Sequence, residues 1–190
     1  MKLILASESP RRKALLAQAG ITPDLIVPAS IDESVKKAEL PRVHALRLAS
    51  EKARAVAAKG DGFEEGLILA ADTVVALGRR ILPKAEDDAT VRACLKLLSG
   101  RRHQVITAVA LIGNGRLKSR VVQTRVSFVR LTQSQMDAYV DCREGVGKAG
   151  GYAIQGRAEL FVKAISGYYS NVVGLPLSET ASLLAGSGYR

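Results

Sequence analysis

The run Gly66-Leu67-Ile68-Leu69-Ala70-Ala71 has no polar side chain and passes straight into Asp72-Thr73. A strand with one wet face alternates apolar and polar residues, so an unbroken apolar run belongs to a central strand covered on both faces. Helices have to provide that cover, and the carboxylate that follows leaves the core at the end of the strand.

The rest of the chain meets this demand. Leu3-Ile4-Leu5-Ala6 reads as a buried strand, and Ser9-Pro10 opens a helix, with serine at the N-cap and proline in the first turn, that Gly20 stops. Leu25 to Pro28 reads as a second strand. Leu40 to Lys59 reads as a long helix with Leu46, Ala49, Ala53 and Val56 on one face, ended by Gly60 and Gly62. Val74 to Leu77 and Arg80 to Leu82 flank a turn at Gly78 and predict a hairpin; Asp87 to Leu98 is helical and closes at Ser99-Gly100. Val105 to Ile112 and Leu117 to Val129 flank Gly113-Asn114-Gly115, the clearest hairpin signal in the chain. Thr132 caps a helix running to about Cys142. A glycine-rich loop then leads to strands at Tyr152 to Ile154 and Leu160 to Ile165, and a closing helix spans Leu177 to Ala185. Crossover units mixed with hairpins predict one α/β domain over residues 1–190: a central mixed, twisted sheet flanked by helices, with a cleft at the strand ends.

Composition narrows the function. A chain of 190 residues, 47% hydrophobic and 24% charged, is globular, and its longest apolar runs fall far short of the roughly 18–20 residues that span a bilayer. The charges Glu8, Arg11, Arg12 and Lys13 follow the first strand at once, so no signal segment can be drawn and a cytoplasmic location is expected. Cys94 and Cys142 have no paired spacing and read as ordinary thiols. The net charge of +10 is uneven: residues 1–95 hold 15 Lys/Arg against 13 Asp/Glu, residues 96–190 hold 13 against 5. Such a field attracts polyanions, whether a nucleic acid or a nucleotide triphosphate. With no Trp and 4% aromatics, stacking platforms are scarce, so nucleic acid is the weaker reading. Gly145-Val146-Gly147-Lys148-Ala149-Gly150 fits the dinucleotide fingerprint but follows a helix and precedes a strand, the reverse of what that motif needs. His44 and His103 have no metal-ligand spacing and are expected on solvated or partly buried faces.

Two polar sites stand out against this background. Ser7-Glu8-Ser9-Pro10-Arg11-Arg12 gathers hydroxyls, free backbone N–H groups and two guanidinium groups at one helix start, an arrangement that attracts phosphate; the plain alternative is a capped helix with a solvated basic turn. Asp72-Thr73 offers a carboxylate able to hold Mg²⁺ or take a proton from water; the plain alternative is a turn-forming Asp. Glu33, Lys52 and Lys84 are candidates for the same pocket, each alone readable as a surface charge.

At these residues the sequence resembles the Maf-like nucleotide pyrophosphatases, a family once described as septum formation inhibitors. The resemblance runs through Leu5-Ala6-Ser7-Glu8-Ser9-Pro10-Arg11-Arg12, Arg47-Leu48-Ala49-Ser50-Glu51-Lys52-Ala53, Ala71-Asp72-Thr73-Val74-Val75, Leu98-Ser99-Gly100, His103-Gln104-Val105 and Val173-Gly174-Leu175-Pro176-Leu177. Ser-Pro-Arg-Arg, Ala-Asp-Thr and the segment Ala149 to Gly156 look like the branch that hydrolyses dTTP and UTP, not the branch acting on N7-methylated GTP.

The resemblance implies a Maf/ITPase-like fold and a homodimer. It also implies hydrolysis of pyrimidine triphosphates, modified ones included, between the α and β phosphorus, with Mg²⁺ or Mn²⁺. By position, Asp72 would be the proton acceptor and, with Glu33, a metal ligand, and the catalytic set of Asp72, Glu33, Lys52 and Lys84 would surround the phosphates and the metal. Arg11, Thr73 and Gln155 match positions tied to base selection, and Ser7, Ser9 and Arg12 complete the loop. Gln155 can donate and accept at once, the complement of a pyrimidine imide edge. The family usually has Lys-Pro where this chain has Lys84-Ala85. The expected role is nucleotide-pool housekeeping, and the older family name adds a link to cell-division arrest. The rival readings are a non-catalytic nucleic-acid-binding or septum-regulating protein and the sister specificity for N7-methyl-GTP.

Overall fold

The computed structural model describes residues 1–60 and 66–189, so the predicted helix stop at Gly62 lies outside the described residues. Seven strands form one sheet: β1 (Leu3–Leu5), β2 (Leu25–Ile26), β3 (Leu67–Leu77), β4 (Arg80–Leu82), β5 (Arg102–Gly113), β6 (Arg116–Phe128) and β7 (Val162–Ser166). Their order is β2-β1-β3-β5-β6-β7, with β4 also on β3. β1 runs parallel to β2 and β3, and the other pairings are antiparallel, which is the mixed α/β sheet expected.

The register of β3 creates the site. β5 pairs with residues Ile68 to Ala76 along one edge of this strand. On the other edge β1 pairs only with Leu67 to Leu69 and β4 only with Val75 to Leu77, which leaves a gap in the sheet opposite residues 70 to 74. Asp72 therefore does not sit at the end of its own strand, as its place after the apolar run suggested. β3 continues to Leu77, and it is β1 that ends, at Leu5, so the cleft opens at the carboxyl end of β1, where ligand crevices in α/β sheets form. The separate strand expected from Val74 to Leu77 is the second half of β3, and the turn at Gly78 links it to β4 as predicted.

Each face of the sheet has its own core. On one face, among the described residues, α2 (Pro41–Ala57) is the one helix, and Ala45, Ala49, Ala53 and Val56 pack on Ala6, Ala70, Ala108 and Ala110. Small residues on both surfaces let helix and sheet approach closely. The other face is larger and is covered by α1 (Pro10–Gln18), α3 (Asp88–Leu98), α4 (Gln133–Asp141) and α6 (Leu177–Ala185), which bury Leu15, Leu16, Leu95, Tyr139 and Leu183 against β3 and β5. Each such large apolar side chain, fully buried, contributes about 1.5–3 kcal/mol. Asp87 caps α3 by accepting from the Thr90 N–H at 2.7 Å, and Thr132 with Gln135 forms a capping box on α4.

Several boundaries differ from expectation. Tyr152 and Ala153 are irregular and Ile154 begins a turn, so no strand forms there; a 3₁₀ segment occupies Arg157–Phe161 before β7, and a short helix, α5 (Tyr169–Val173), carries no periodic signal in the sequence. His44 and His103 are buried where solvated or partly buried faces were expected, because each finds a polar partner: the carboxylate of Glu39 at 2.8 Å and the Tyr152 hydroxyl at 2.8 Å. Both cysteines are free thiols. Among the described residues no helix is long and apolar enough to cross a membrane.

Candidate active site

A cleft of about 880 Å³ opens at the gap in the sheet, and all ten residues singled out from the sequence line it: Ser7, Ser9, Arg11, Arg12, Glu33, Lys52, Asp72, Thr73, Lys84 and Gln155. They come from segments far apart in the chain, and the split edge of β3 is what brings them together.

Strand alternation divides the two central residues between the faces of the sheet. Asp72 follows Ile68 and Ala70 onto the face covered by α2, where the Lys52 ammonium donates to its Oδ1 at 2.7 Å. Lys52 is 9% exposed and Asp72 7%, so this ion pair is largely withdrawn from water. The same ammonium lies 2.7 Å from Oε1 of Glu33, in the loop between β2 and α2, so one lysine joins two carboxylates. Burial pulls the Glu33 carboxyl upward, but the Lys52 hydrogen bond and charge, with Lys84 and Arg12 beyond, outweigh it and hold the group below its ordinary value. The second oxygen of each carboxylate is left for another ligand.

Thr73 follows Ala71 onto the opposite face, toward α1. There Arg12 is fixed by three hydrogen bonds. Its Nε donates to the Gly174 carbonyl at 2.9 Å, its Nη1 to the Ser7 hydroxyl at 3.0 Å and its Nη2 to the Thr73 hydroxyl at 3.3 Å. A guanidinium has five N–H groups, so two remain for a ligand in a fork already oriented by the protein. Gly174 sits at φ 127° just after α5, a left-handed conformation that suits glycine, and a β-carbon there would lie 3.4 Å from Thr73 Oγ1. Ser9 occupies the N-cap position of α1 but makes no side-chain cap, contrary to expectation, so its hydroxyl stays uncommitted at the cleft wall. Burial pulls the guanidinium groups of Arg11 and Arg12 below their ordinary values, with Asp72 opposing the shift at Arg12.

The third wall was missed by sequence reasoning. The loop carrying Lys148 is laced to the segment after β4: the Ala85 N–H donates to the Lys148 carbonyl at 3.0 Å and the Gly150 N–H to the Pro83 carbonyl at 2.9 Å. Gly150, at φ 67°, permits this approach, since a β-carbon would meet Val75 Cγ1 at 2.7 Å. Lys148 thereby joins Lys84 at the cleft, and burial, then the charges of Arg11 and Lys84, lower its ammonium from the ordinary value. The glycine run that resembled a dinucleotide fingerprint serves this close packing. Beyond it, Tyr152 on irregular chain and Gln155 on a turn reach the cleft, and Tyr152 is held from behind by His103.

Such a cleft suits a polyphosphate: five cationic side chains against four carboxylates, Glu8, Glu33, Asp72 and Glu86, with two helix-start hydroxyls, all lining one volume. Among the described residues no three His, Cys, Asp or Glu side chains converge as a metal site. A site of one or two carboxylates completed by phosphate oxygens is the usual way Mg²⁺ is held, and Asp72 with Glu33 fits that donor set.

The family model for Maf-like protein matches residues 2–187. A Caulobacter vibrioides protein named dTTP/UTP pyrophosphatase is 58% identical over 189 residues, covering 99% of this chain and 96% of the relative. One of the same name from Paramagnetospirillum magneticum is 57% identical over 188 residues, covering 98% and 97%. The solved structure of a nucleoside-triphosphatase, a dITP/XTP pyrophosphatase from Mycobacterium abscessus, overlaps at a TM-score of 0.47 and 20% identity, across 98% of this chain and 94% of that one.

Proposed function

The chain belongs to the Maf-like family, and we propose that it is a nucleoside triphosphate pyrophosphatase that cleaves dTTP, UTP and related pyrimidine triphosphates between the α and β phosphorus. The observation that carries the reading is the Asp72–Lys52–Glu33 group sharing with Arg12 the cleft at the gap in the sheet beside β3, because it pairs a positioned carboxylate with phosphate-binding cations.

The residues divide the work by chemistry. Lys52 holds Asp72 by Oδ1, so that Oδ2 can orient a water molecule and take its proton as the oxygen bonds to the α phosphorus. The bond from that phosphorus to the bridging oxygen breaks, and pyrophosphate departs with the electron pair while the monophosphate keeps the water oxygen. Arg11, Arg12, Lys84 and Lys148 spread the charge of the phosphates, and Ser7 and Ser9 offer hydroxyls to them. Asp72 and Glu33 would hold a divalent cation, Mg²⁺ or Mn²⁺, which when bound screens the phosphate charge and polarises a phosphoryl oxygen. Gln155, with Arg11 and Thr73, stands at the positions the family resemblance ties to base choice. The proposal includes a homodimer, implied by that resemblance, and a cytoplasmic location, where the nucleotide pool is found.

A panel of nucleoside triphosphates incubated with and without Mg²⁺ and Mn²⁺, scored separately for pyrophosphate and orthophosphate, tests the reading. Pyrophosphate from dTTP and UTP, requiring metal, is the expected result. Orthophosphate alone, or no turnover together with salt-sensitive oligonucleotide binding, would overturn it in favour of a phosphatase or a nucleic-acid binder.

A further inference from the structure

Thr107 lies in the middle of β5, fully buried and directly opposite Thr73 in the register, and takes no part in the chemistry above. Its hydroxyl donates to the backbone carbonyl of Asn171 in α5 at 2.9 Å, and it lies 3.0 Å from the Thr73 hydroxyl. A hydroxyl has one proton. Since a carbonyl can only accept, that proton is committed to Asn171, and the proton between the two threonines must come from Thr73. Thr73 therefore donates inward and accepts from Arg12 Nη2. The direction of the whole line is fixed: Arg12 to Thr73 to Thr107 to the Asn171 carbonyl.

The end of this line is itself anchored. The Asn171 amide donates to the Val105 carbonyl and to the Thr124 hydroxyl, both at 3.0 Å, and the residue is fully buried. Gly174, immediately after α5, supplies the carbonyl that holds Arg12 Nε. Both the side and the stem of the guanidinium are thus referred to one short helix, and hydrogen bonds in a directed line polarise one another.

We infer that Thr107 is a positioning residue for the nucleotide phosphates, acting through Thr73 to fix the Arg12 fork; this rests on the proposed function only in taking Arg12 to bind phosphate. Thr73 then has no proton to give a nucleotide base and can offer it a lone pair at most.

Thr107→Val removes the hydroxyl while keeping a β-branched side chain of the same shape, and Thr107→Ser keeps the hydroxyl. Both would be made alone and with Arg12→Lys, and Thr73→Val cuts the same line from its half-buried side should Thr107→Val not fold. The readouts are the Kd for inorganic tripolyphosphate and KM and kcat for dTTP. The expected result for Thr107→Val is a roughly tenfold weaker tripolyphosphate affinity and an equal rise in KM. Thr107→Ser restores both, and in the Arg12→Lys background Thr107→Val changes affinity less than twofold. An unchanged affinity in Thr107→Val, or the same tenfold loss without Arg12, overturns the inference. If wild-type protein releases no pyrophosphate from dTTP yet its tripolyphosphate affinity follows this pattern, the proposed function fails and the positioning role stands.

Discussion

Replacing Lys52 by Met leaves the buried Asp72 carboxylate without its ion-pair partner, with only the more distant charge of Arg12 to offset it. In the native protein the ammonium lies 2.7 Å from both Asp72 Oδ1 and Glu33 Oε1, and the two carboxylates differ in their access to water, with side chains 10% and 49% exposed. Glu33 can regain full hydration when the lysine is gone, whereas Asp72 meets water only through the cleft. Breaking a buried pair by removing one partner costs about 3–5 kcal/mol, and because only one of these carboxylates is stranded, the low end, about 3 kcal/mol, is expected. Adding Asp72→Asn removes the stranded charge. The double variant should therefore recover about half of the loss, so that it is more stable than Lys52→Met alone. Urea unfolding of the wild type, the two single variants and the double variant at neutral pH measures the coupling. A loss under about 1 kcal/mol for Lys52→Met, or a double variant destabilised by the sum of the single effects, would refute the claim that this pair is buried and interdependent.

Two further predictions address the base site and the hidden histidine. Gln155→Ala should change the ratio of kcat/KM between dTTP or UTP and the other nucleotides by about 10-fold while lowering turnover on the best substrate less; an equal loss on every nucleotide argues against base recognition. Burial lowers the His103 imidazole from 6.5 to about 4, so the unfolded chain takes up a proton there before the folded one does. The group's contribution is fully present above about pH 6.5 and shrinks as pH falls toward 4, by a total on the order of 3 kcal/mol. A His103→Gln variant should show a correspondingly shallower loss of urea stability between pH 7 and pH 4.5, and identical slopes in the two proteins would count against the burial of a neutral ring.

Local signals made much of this fold readable. The two-residue turn at Asn114-Gly115 imposes the β5–β6 hairpin, and Thr132 with Gln135 starts α4, because each acts over a few residues whose chemistry is visible in order. The polar site was readable for a related reason: Asp72 interrupts an apolar run, and such an interruption requires a partner or a purpose. Features set by distant contacts were not readable. Nothing local shows that β3 continues past Asp72, since its continuation depends on β5 pairing along the whole edge. α5 has only five residues, too few for a helical period, and its role rests on Gly174 meeting Arg12 across 162 positions of chain. Lys148 belongs to the cleft because Gly150 packs on Val75 and the loop hydrogen-bonds to the segment after β4, and His103 is buried because Tyr152 and Phe128 pack against its ring.

Rate and affinity of Asp72→Asn, compared side by side with wild type, bear most directly on the chemistry. The amide keeps the size of the carboxylate and cannot accept the water proton, so pyrophosphate release from dTTP should fall by about 10²- to 10⁴-fold while the nucleotide still binds through Arg11, Arg12 and Lys84. A variant that binds dTTP and still releases pyrophosphate at the wild-type rate would contradict it.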